Sequence, residues 1–262
     1  MNFSSIRLVA FDLDGTLWLG DALLPGALQS VQSLSARYRI AYHTNNSTRS
    51  DAEVADKLRR LGVVADPEAV HTSTTATARH LVEEGLSGIC VIGSSGLRRT
   101  LENHGLRLVD DASASHVVVG MDVEIDYHRI TMALQVLLKG GLFIACNADA
   151  NFPVEGGHRL PGCGAMVGAI QGAVGRGPDR LIGKPSPCIL AQIAAQHGLR
   201  PEEILVVGDS LESDIAMARA FGSPAVLFGA VAGDASEAGV VRVADHAGLL
   251  AWIEGEIGVG WR

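Results

Sequence analysis

The chain has 262 residues and a formal net charge of −8, with 47% hydrophobic but only 5% aromatic residues. That length buries a substantial core in one large α/β domain or two smaller ones, and the core must be mainly Ala, Val, Leu and Ile. The acidic balance repels phosphate polymers and anionic surfaces, so neither nucleic acid nor a membrane is expected as a partner.

Other classes are excluded in the same way. No uncharged apolar run approaches the ~20 residues that span a bilayer. The N-terminal apolar run meets Asp12 and Asp14 almost at once, unlike a signal peptide. Cys90, Cys146, Cys163 and Cys188 lie far apart, with no metal-ligand or redox spacing. Reduced, mostly buried thiols in a soluble cytoplasmic protein are the expectation.

In chain order, the apolar run from Leu8 predicts a strand that ends in Asp12-Leu13-Asp14-Gly15. Trp18 to Pro25 reads as a loop, and Pro25-Gly26 opens a helix to about Arg37. Arg39 to His43 reads as a strand running into Thr44-Asn45-Asn46-Ser47. Ser50 or Asp51 caps the next helix, which stops at Gly62, and Ser73 and Thr74 are expected to cap another through Glu84. A second strand-helix rhythm follows: strand 89–92, helix 97–103, strand 116–119, helix 127–138, strand 143–146.

Between Asn147 and Gly164 the helical period is lost and Gly and Pro dominate. Such a segment is either a functional loop or a plain connection. A helix over 165–174, a polar break at 175–178, and Leu181-Ile182-Gly183-Lys184-Pro185 come next. A helix to His197, a strand over 204–209, a helix over 214–221, a strand over 225–228 and a helix over 246–254 complete the chain. Alternating βα units predict an α/β fold with a doubly wound, mostly parallel, Rossmann-like sheet. In such sheets ligands sit beyond the carboxyl ends of the strands. Asp12, Thr44 and Asp209 follow predicted strands directly and Lys184 follows a short apolar segment, so all four are expected at one edge of one sheet.

Period-two alternation sends Asp12 and Asp14 to the same side of the strand tip, where two carboxylates repel unless a cation or shared proton intervenes. Alone, each piece has a plainer reading. Asp-x-Asp-Gly could be a solvated turn, Thr44 a helix cap, Lys184 a surface lysine, and Asp209 with Asp214 a pair offsetting a helix dipole. His43 and the other histidines show no usable spacing and are read as core or surface.

Taken together and in order, Asp12-Leu13-Asp14-Gly15-Thr16, Thr44, Lys184-Pro185 and Gly208-Asp209-Ser210 with Asp214 resemble the four motifs of the haloacid-dehalogenase (HAD) superfamily. The flanking residues Leu17-Trp18, Pro25-Gly26-Ala27, Asn45-Asn46-Ser47 and Gly183-Lys184-Pro185-Ser186 resemble its nitrophenylphosphatase-like (NagD-type) branch. The resemblance implies a phosphatase with a core over 1–75 and 180–262 and an inserted α/β type-2 cap over 76–179. One departure stands out: Cys146-Asn147-Ala148-Asp149 replaces the branch's usual Thr-Asn-Pro-Asp.

The resemblance implies Asp12 as nucleophile and Asp14 as acid and base. It implies Mg²⁺ held by Asp12, the Asp14 carbonyl and Asp209, with Asp214 near the metal. Thr44, Asn45, Asn46 and Lys184 would bind phosphoryl oxygens, and Asn147 and Asp149 in the irregular segment, with Glu155, His158 and Arg159, offer polar groups to the leaving alcohol. The residue types suit this chemistry. A carboxylate can attack phosphorus, and attack of anion on anion needs a hard cation and fixed donors. The expected substrate is a small phosphate ester, and the branch is similar to proteins that pair through their caps as homodimers. Two rival readings, a receiver-like phospho-accepting signalling module and a non-catalytic phospho-ligand sensor, share the acidic cluster. The chain's length and Asp14 count against the first, and the complete acid set against the second.

Overall fold

The computed structural model describes residues 5–153, 158–229 and 240–257. In chain order the elements are β1 (Leu8–Asp12), β2 (Trp18–Leu19), β3 (Ala22–Leu23), α1 (Ala27–Ser35), β4 (Arg39–Thr44), α2 (Asp51–Arg60), β5 (Val70–Thr72) and α3 (Ser73–Glu83). Next come β6 (Ile89–Ile92), α4 (Ser95–Asn103), β7 (His116–Val119), α5 (Tyr127–Leu138), β8 (Phe143–Ala145), β9 (Asn151–Pro153), β10 (Arg159–Pro161), α6 (Cys163–Val174) and β11 (Arg180–Leu181). The last are α7 (Cys188–His197), β12 (Ile204–Gly208), α8 (Ala216–Phe221), β13 (Ala225–Phe228), β14 (Val241–Val243) and α9 (His246–Ile257).

The long elements fall where periodicity predicts them, and the short strands do not. The expected loop after Trp18 holds the β2–β3 hairpin, and the irregular segment holds the β9–β10 hairpin. Strands of two or three residues carry too few alternations to show a period. The α2 start is a reciprocal cap: Glu53 accepts from the Ser50 amide at 2.8 Å while the Ser50 hydroxyl accepts from the Glu53 amide at 3.3 Å. For α3 the cap is Thr72, not Ser73 or Thr74. Thr72 has extended backbone and its hydroxyl accepts from the Thr75 amide at 3.1 Å.

By contacts the chain divides into two units, Met1–Thr44 with Ala55–His71 and Pro185–Arg262, and Asn45–Val54 with Thr72–Lys184. The first is built on a six-stranded sheet in the order β14-β13-β12-β1-β4-β5. Its pairings from β14 through β4 are parallel. Numbered among themselves, these strands run 6-5-4-1-2-3, the Rossmann order, whose direction reverses between β1 and β12. β1 and β12 are buried along their whole length, which explains their unbroken apolar runs.

The second unit carries a parallel sheet in the order β11-β8-β7-β6. Its core gathers Ile92, Val117, Val119, Val136, Phe143, Val167 and Ile170 from the strands and from α5 and α6. Cys90, Cys146 and Cys163 are buried, Cys188 is half-buried, and none is in a disulfide. No helix among the described residues is long and apolar enough to cross a membrane.

Candidate active site

The acidic residues of the first unit gather where its strand order reverses. Asp12 is the last residue of β1, and parallel register sets it beside His43 of β4. It is buried, 3% exposed, and accepts from the Thr16 hydroxyl at 3.3 Å. The Thr16 carbonyl in turn lies 2.9 Å from Nε2 of the buried His246, which must donate, since a carbonyl can only accept. Burial holds the His246 pKa below its usual value, against the raising effects of that bond and of Asp245.

The chain leaves β1 through a tight turn. Gly15 has φ +88°, and the amides of Leu17 and Trp18 both return to the Leu13 carbonyl at 2.9 and 3.0 Å. The turn exposes Asp14, which the Trp18 indole N–H reaches at Oδ1, 2.7 Å away, and the Thr44 hydroxyl at Oδ2, 3.4 Å away. Trp18 is itself fixed, with the Lys57 ammonium 4.4 Å above its ring.

Two glycines make room for the acids of the fourth motif. A Cβ on Gly15 would collide with the Asp209 carboxylate, so Asp209 stands directly against the backbone that follows Asp14. A Cβ on Gly208 would collide with the Asp214 carboxylate in the same way. Asp214 is fully buried and accepts from the Ser210 amide at 3.1 Å, whereas Asp209 is exposed. Among the described residues, one ligand atom each of Asp12, His43 and Asp214 lie within 4.8 Å of one another. His43 is the member that sequence patterning leaves aside. The only signal available to find it is its register opposite Asp12, which needs the pairing of β1 with β4.

Lys184 corrects the expectation of a single sheet edge. It follows β11, and β11 pairs with β8 in the sheet of the second unit, so the apolar segment before it is not a strand of the sheet that carries Asp12. Within that second unit it is held by Asn45. The Lys184 amide donates to Asn45 Oδ1 at 2.7 Å, and Asn45 Nδ2 donates to the Lys184 carbonyl at 3.1 Å.

The same Nδ2 reaches both Asp149 oxygens at 3.0 Å, the Asn147 amide group donates to the Asn45 carbonyl at 2.6 Å, and the Asp149 amide donates to Asn147 Oδ1 at 3.1 Å. Ser73 supports the loop from α3, its hydroxyl donating to the Asn45 carbonyl at 2.8 Å. Asn46 caps its own turn, its side-chain oxygen accepting from the Thr48 and Arg49 amides at 2.9 and 3.0 Å. A Cβ on Gly183 would strike the Cys146 carbonyl, which closes this knot.

Asn147 and Asp149 therefore bind Asn45, a structural bond that their polar character alone did not show. His158 just before β10 and Arg159 at its start are exposed, Arg159 bonding Asn151, and Glu155 lies outside the described residues. Burial, with further raising effects from Cys163 and Asp149 respectively, pushes the Cys146 and Cys163 thiols up, Cys163 to about 11, which disfavours their thiolate forms.

A Rossmann-ordered sheet thus carries a carboxylate cluster at its reversal point, on a chain interrupted by a second α/β unit. A family model described as haloacid dehalogenase-like hydrolase matches residues 9–107, and a second HAD-hydrolase-like model matches residues 181–245. An acid sugar phosphatase of Staphylococcus aureus is 35% identical over 206 residues, covering 78% of this chain and 79% of its own. A 4-nitrophenylphosphatase structure from Thermotoga maritima superposes with a TM-score of 0.87 at 30% identity, covering 96% of this chain and 98% of that one. The magnesium complex of a Mycobacterium tuberculosis glycerol phosphate phosphatase gives a TM-score of 0.83 at 32% identity, with 95% and 78% coverage. The chain belongs to the haloacid dehalogenase-like hydrolases, in the NagD-type phosphatase branch.

Proposed function

We propose that the protein hydrolyses small phosphomonoesters through an aspartyl-phosphate on Asp12. The observation that carries this reading is the pairing of a buried carboxylate, Asp12, with an exposed one, Asp14, held by Trp18 and Thr44. In this reading Asp12 attacks and Asp14 exchanges protons with solvent-borne groups. An Asp12 oxygen attacks phosphorus while Asp14 gives its proton to the departing alcohol oxygen. Asp14 then takes a proton from the water that attacks the acyl-phosphate, which releases phosphate and restores Asp12. Names of relatives support the substrate class, since acid sugar, 4-nitrophenyl and glycerol phosphates are all small monoesters.

The donors fit a hard divalent cation. Asp12, Asp209 and the main-chain carbonyl of Asp14 are all oxygen, Gly15 brings Asp209 against that main chain, and a relative is described in complex with magnesium. Bound there, Mg²⁺ would neutralise charge on the phosphoryl group. Asp214 is assigned the support of the ion through water. Lys184, Thr44 and the amides of Asn45 and Asn46 are assigned to the phosphoryl oxygens. The second unit is assigned the cap, over 76–179 and its flanking residues. Leaving-group reading is assigned to the exposed His158 and Arg159, with Asn147 and Asp149 acting through the Asn45 they hold. Pairing of two copies through the cap and a cytoplasmic location belong to the same reading.

The test is turnover of a phosphomonoester panel by purified protein with Mg²⁺, ranked by kcat/KM. Sugar phosphates, glycerol phosphates and 4-nitrophenyl phosphate should be hydrolysed. Arg159→Ala should reorder the ranking, whereas Lys184→Ala should depress every substrate together. Lack of turnover on the whole panel would refute the assignment.

A further inference from the structure

A chain of contacts reaches Asp12 from the far end of the sequence. His246, the first residue of α9, is 1% exposed, and its Nε2 donates to the Thr16 carbonyl at 2.9 Å across 230 residues. Thr16 is fully buried, and its hydroxyl donates to Asp12 Oδ2 at 3.3 Å. His246 is itself held from two other elements. The Phe228 ring of β13 lies 4.5 Å from the imidazole, and the buried Ser30 hydroxyl of α1 donates to the His246 carbonyl at 3.3 Å. Gly26, just before α1, leaves the room that this packing takes: a Cβ there would stand 3.0 Å from the His246 Cβ. The peptide joining Thr16 to Leu17 is thus pinned on both sides, its N–H on the Leu13 carbonyl at 2.9 Å and its own carbonyl on His246.

We propose that His246 is a positioning residue for the nucleophile. By holding the Thr16 peptide it aims the Thr16 hydroxyl at Oδ2 of Asp12, which fixes the plane of that carboxylate for in-line attack by its other oxygen. The terminal torsion of an aspartate is soft, so its plane needs an anchor. Reaction rate is sensitive to that aim, since a misplacement of about 1 Å can cost on the order of a hundredfold. The inference rests on the hydrolase reading and adds to it a residue that lies outside the four motifs.

The test is a kinetic cycle on the full chain with Mg²⁺ and the panel phosphomonoester that wild type turns over fastest. Each protein is first shown to be folded by circular dichroism. His246→Leu removes the donor and should lower kcat roughly ten- to a hundredfold, with KM changed by less than about twofold. His246→Gln, whose amide extends about as far as Nε2, should return kcat to within about threefold of wild type. Thr16→Val removes the hydroxyl and keeps its shape. In that background His246→Leu should cost no more than about a further twofold, because the route it acts through is already cut. Should His246→Leu not fold, His246→Asn takes its place, since its shorter amide stops short of the Thr16 carbonyl and the same loss is expected. Wild-type kcat in the folded donor-less variant, an equal loss in His246→Gln, or a full additional loss in the Thr16→Val background would overturn the proposal. Failure of both donor-less variants to fold would make His246 purely structural and overturn it too. In each of these outcomes wild-type turnover keeps the hydrolase reading standing, whereas no wild-type turnover on the whole panel would remove both.

Discussion

Asn45→Asp should be among the most damaging isosteric substitutions in the second unit, and Asp149→Asn should rescue it. In the wild type, Asn45 Nδ2 donates to both Asp149 oxygens at 3.0 Å and to the Lys184 carbonyl at 3.1 Å. Replacing that donor by oxygen removes a charge-assisted interaction of about 1.5–3 kcal/mol. It also sets two carboxylates against each other, at a cost of up to ~4 kcal/mol for an effective dielectric near 20, limited by protonation of one of them.

The expected loss is roughly 3–5 kcal/mol, with a weakened KM because Lys184 loses its anchor. In the double variant the two side chains exchange roles, the new amide donating to the new carboxylate, so a coupling of about 2 kcal/mol in the favourable direction is expected. Urea unfolding of the four proteins, followed by far-ultraviolet circular dichroism, measures it. Additivity to within ~0.5 kcal/mol would show that Asn45 and Asp149 do not hold each other, and the account of this loop would fall.

Other predictions follow from the same contacts. Trp18→Phe keeps the ring beneath Lys57 but removes the N–H on Asp14, so kcat should fall about tenfold, equivalent to ~1.4 kcal/mol, with KM little changed. An unchanged kcat would remove Trp18 from the positioning of Asp14. Burial lowers the pKa of His246 and of His197, so the folded state resists protonating them. Their contribution is therefore intact above the unfolded value of about 6.5 and is lost as pH falls below it toward the folded values. Melting curves from pH 8 to 5 should show Tm declining below about 6.5, less steeply in His246→Gln; an equal decline in both would contradict this. Iodoacetamide near pH 8 should label Cys188 first and spare Cys90, Cys146 and Cys163 until unfolding, because burial raises all three thiols. Mass analysis of early modification reads this directly.

Element length decides which parts of the fold are legible in the sequence. β1, β12 and β13 are legible because a buried parallel strand is a run of apolar residues, β4 through its central Ile40-Ala41-Tyr42, and the ends of β1, β4 and β12 lead to Asp12, Thr44 and Asp209. β2, β3, β5 and β14 are not, since each is too short to show a period. The motif around Lys184 is plain in the chain but its sheet is not, because Arg180–Leu181 carries no mark of its partner, β8. The irregular segment stands out through its glycines and prolines. That Asn147 and Asp149 face Asn45 depends on contacts more than a hundred residues apart in sequence, which no local pattern encodes. His43 is the sharpest case, since one buried histidine in a strand is ordinary until register sets it beside Asp12.

The central claim is the covalent step on Asp12, and trapping tests it most directly. Protein mixed with Mg²⁺ and a ³²P-labelled monoester from the panel would be quenched in acid within milliseconds, digested, and its labelled peptide identified by mass spectrometry. The account predicts label on the peptide containing Asp12, lost on treatment with hydroxylamine, more abundant in Asp14→Asn and absent in Asp12→Asn. Turnover by wild-type protein with no labelled Asp12 peptide in either wild type or Asp14→Asn, or undiminished turnover by a verified Asp12→Asn sample, would contradict it.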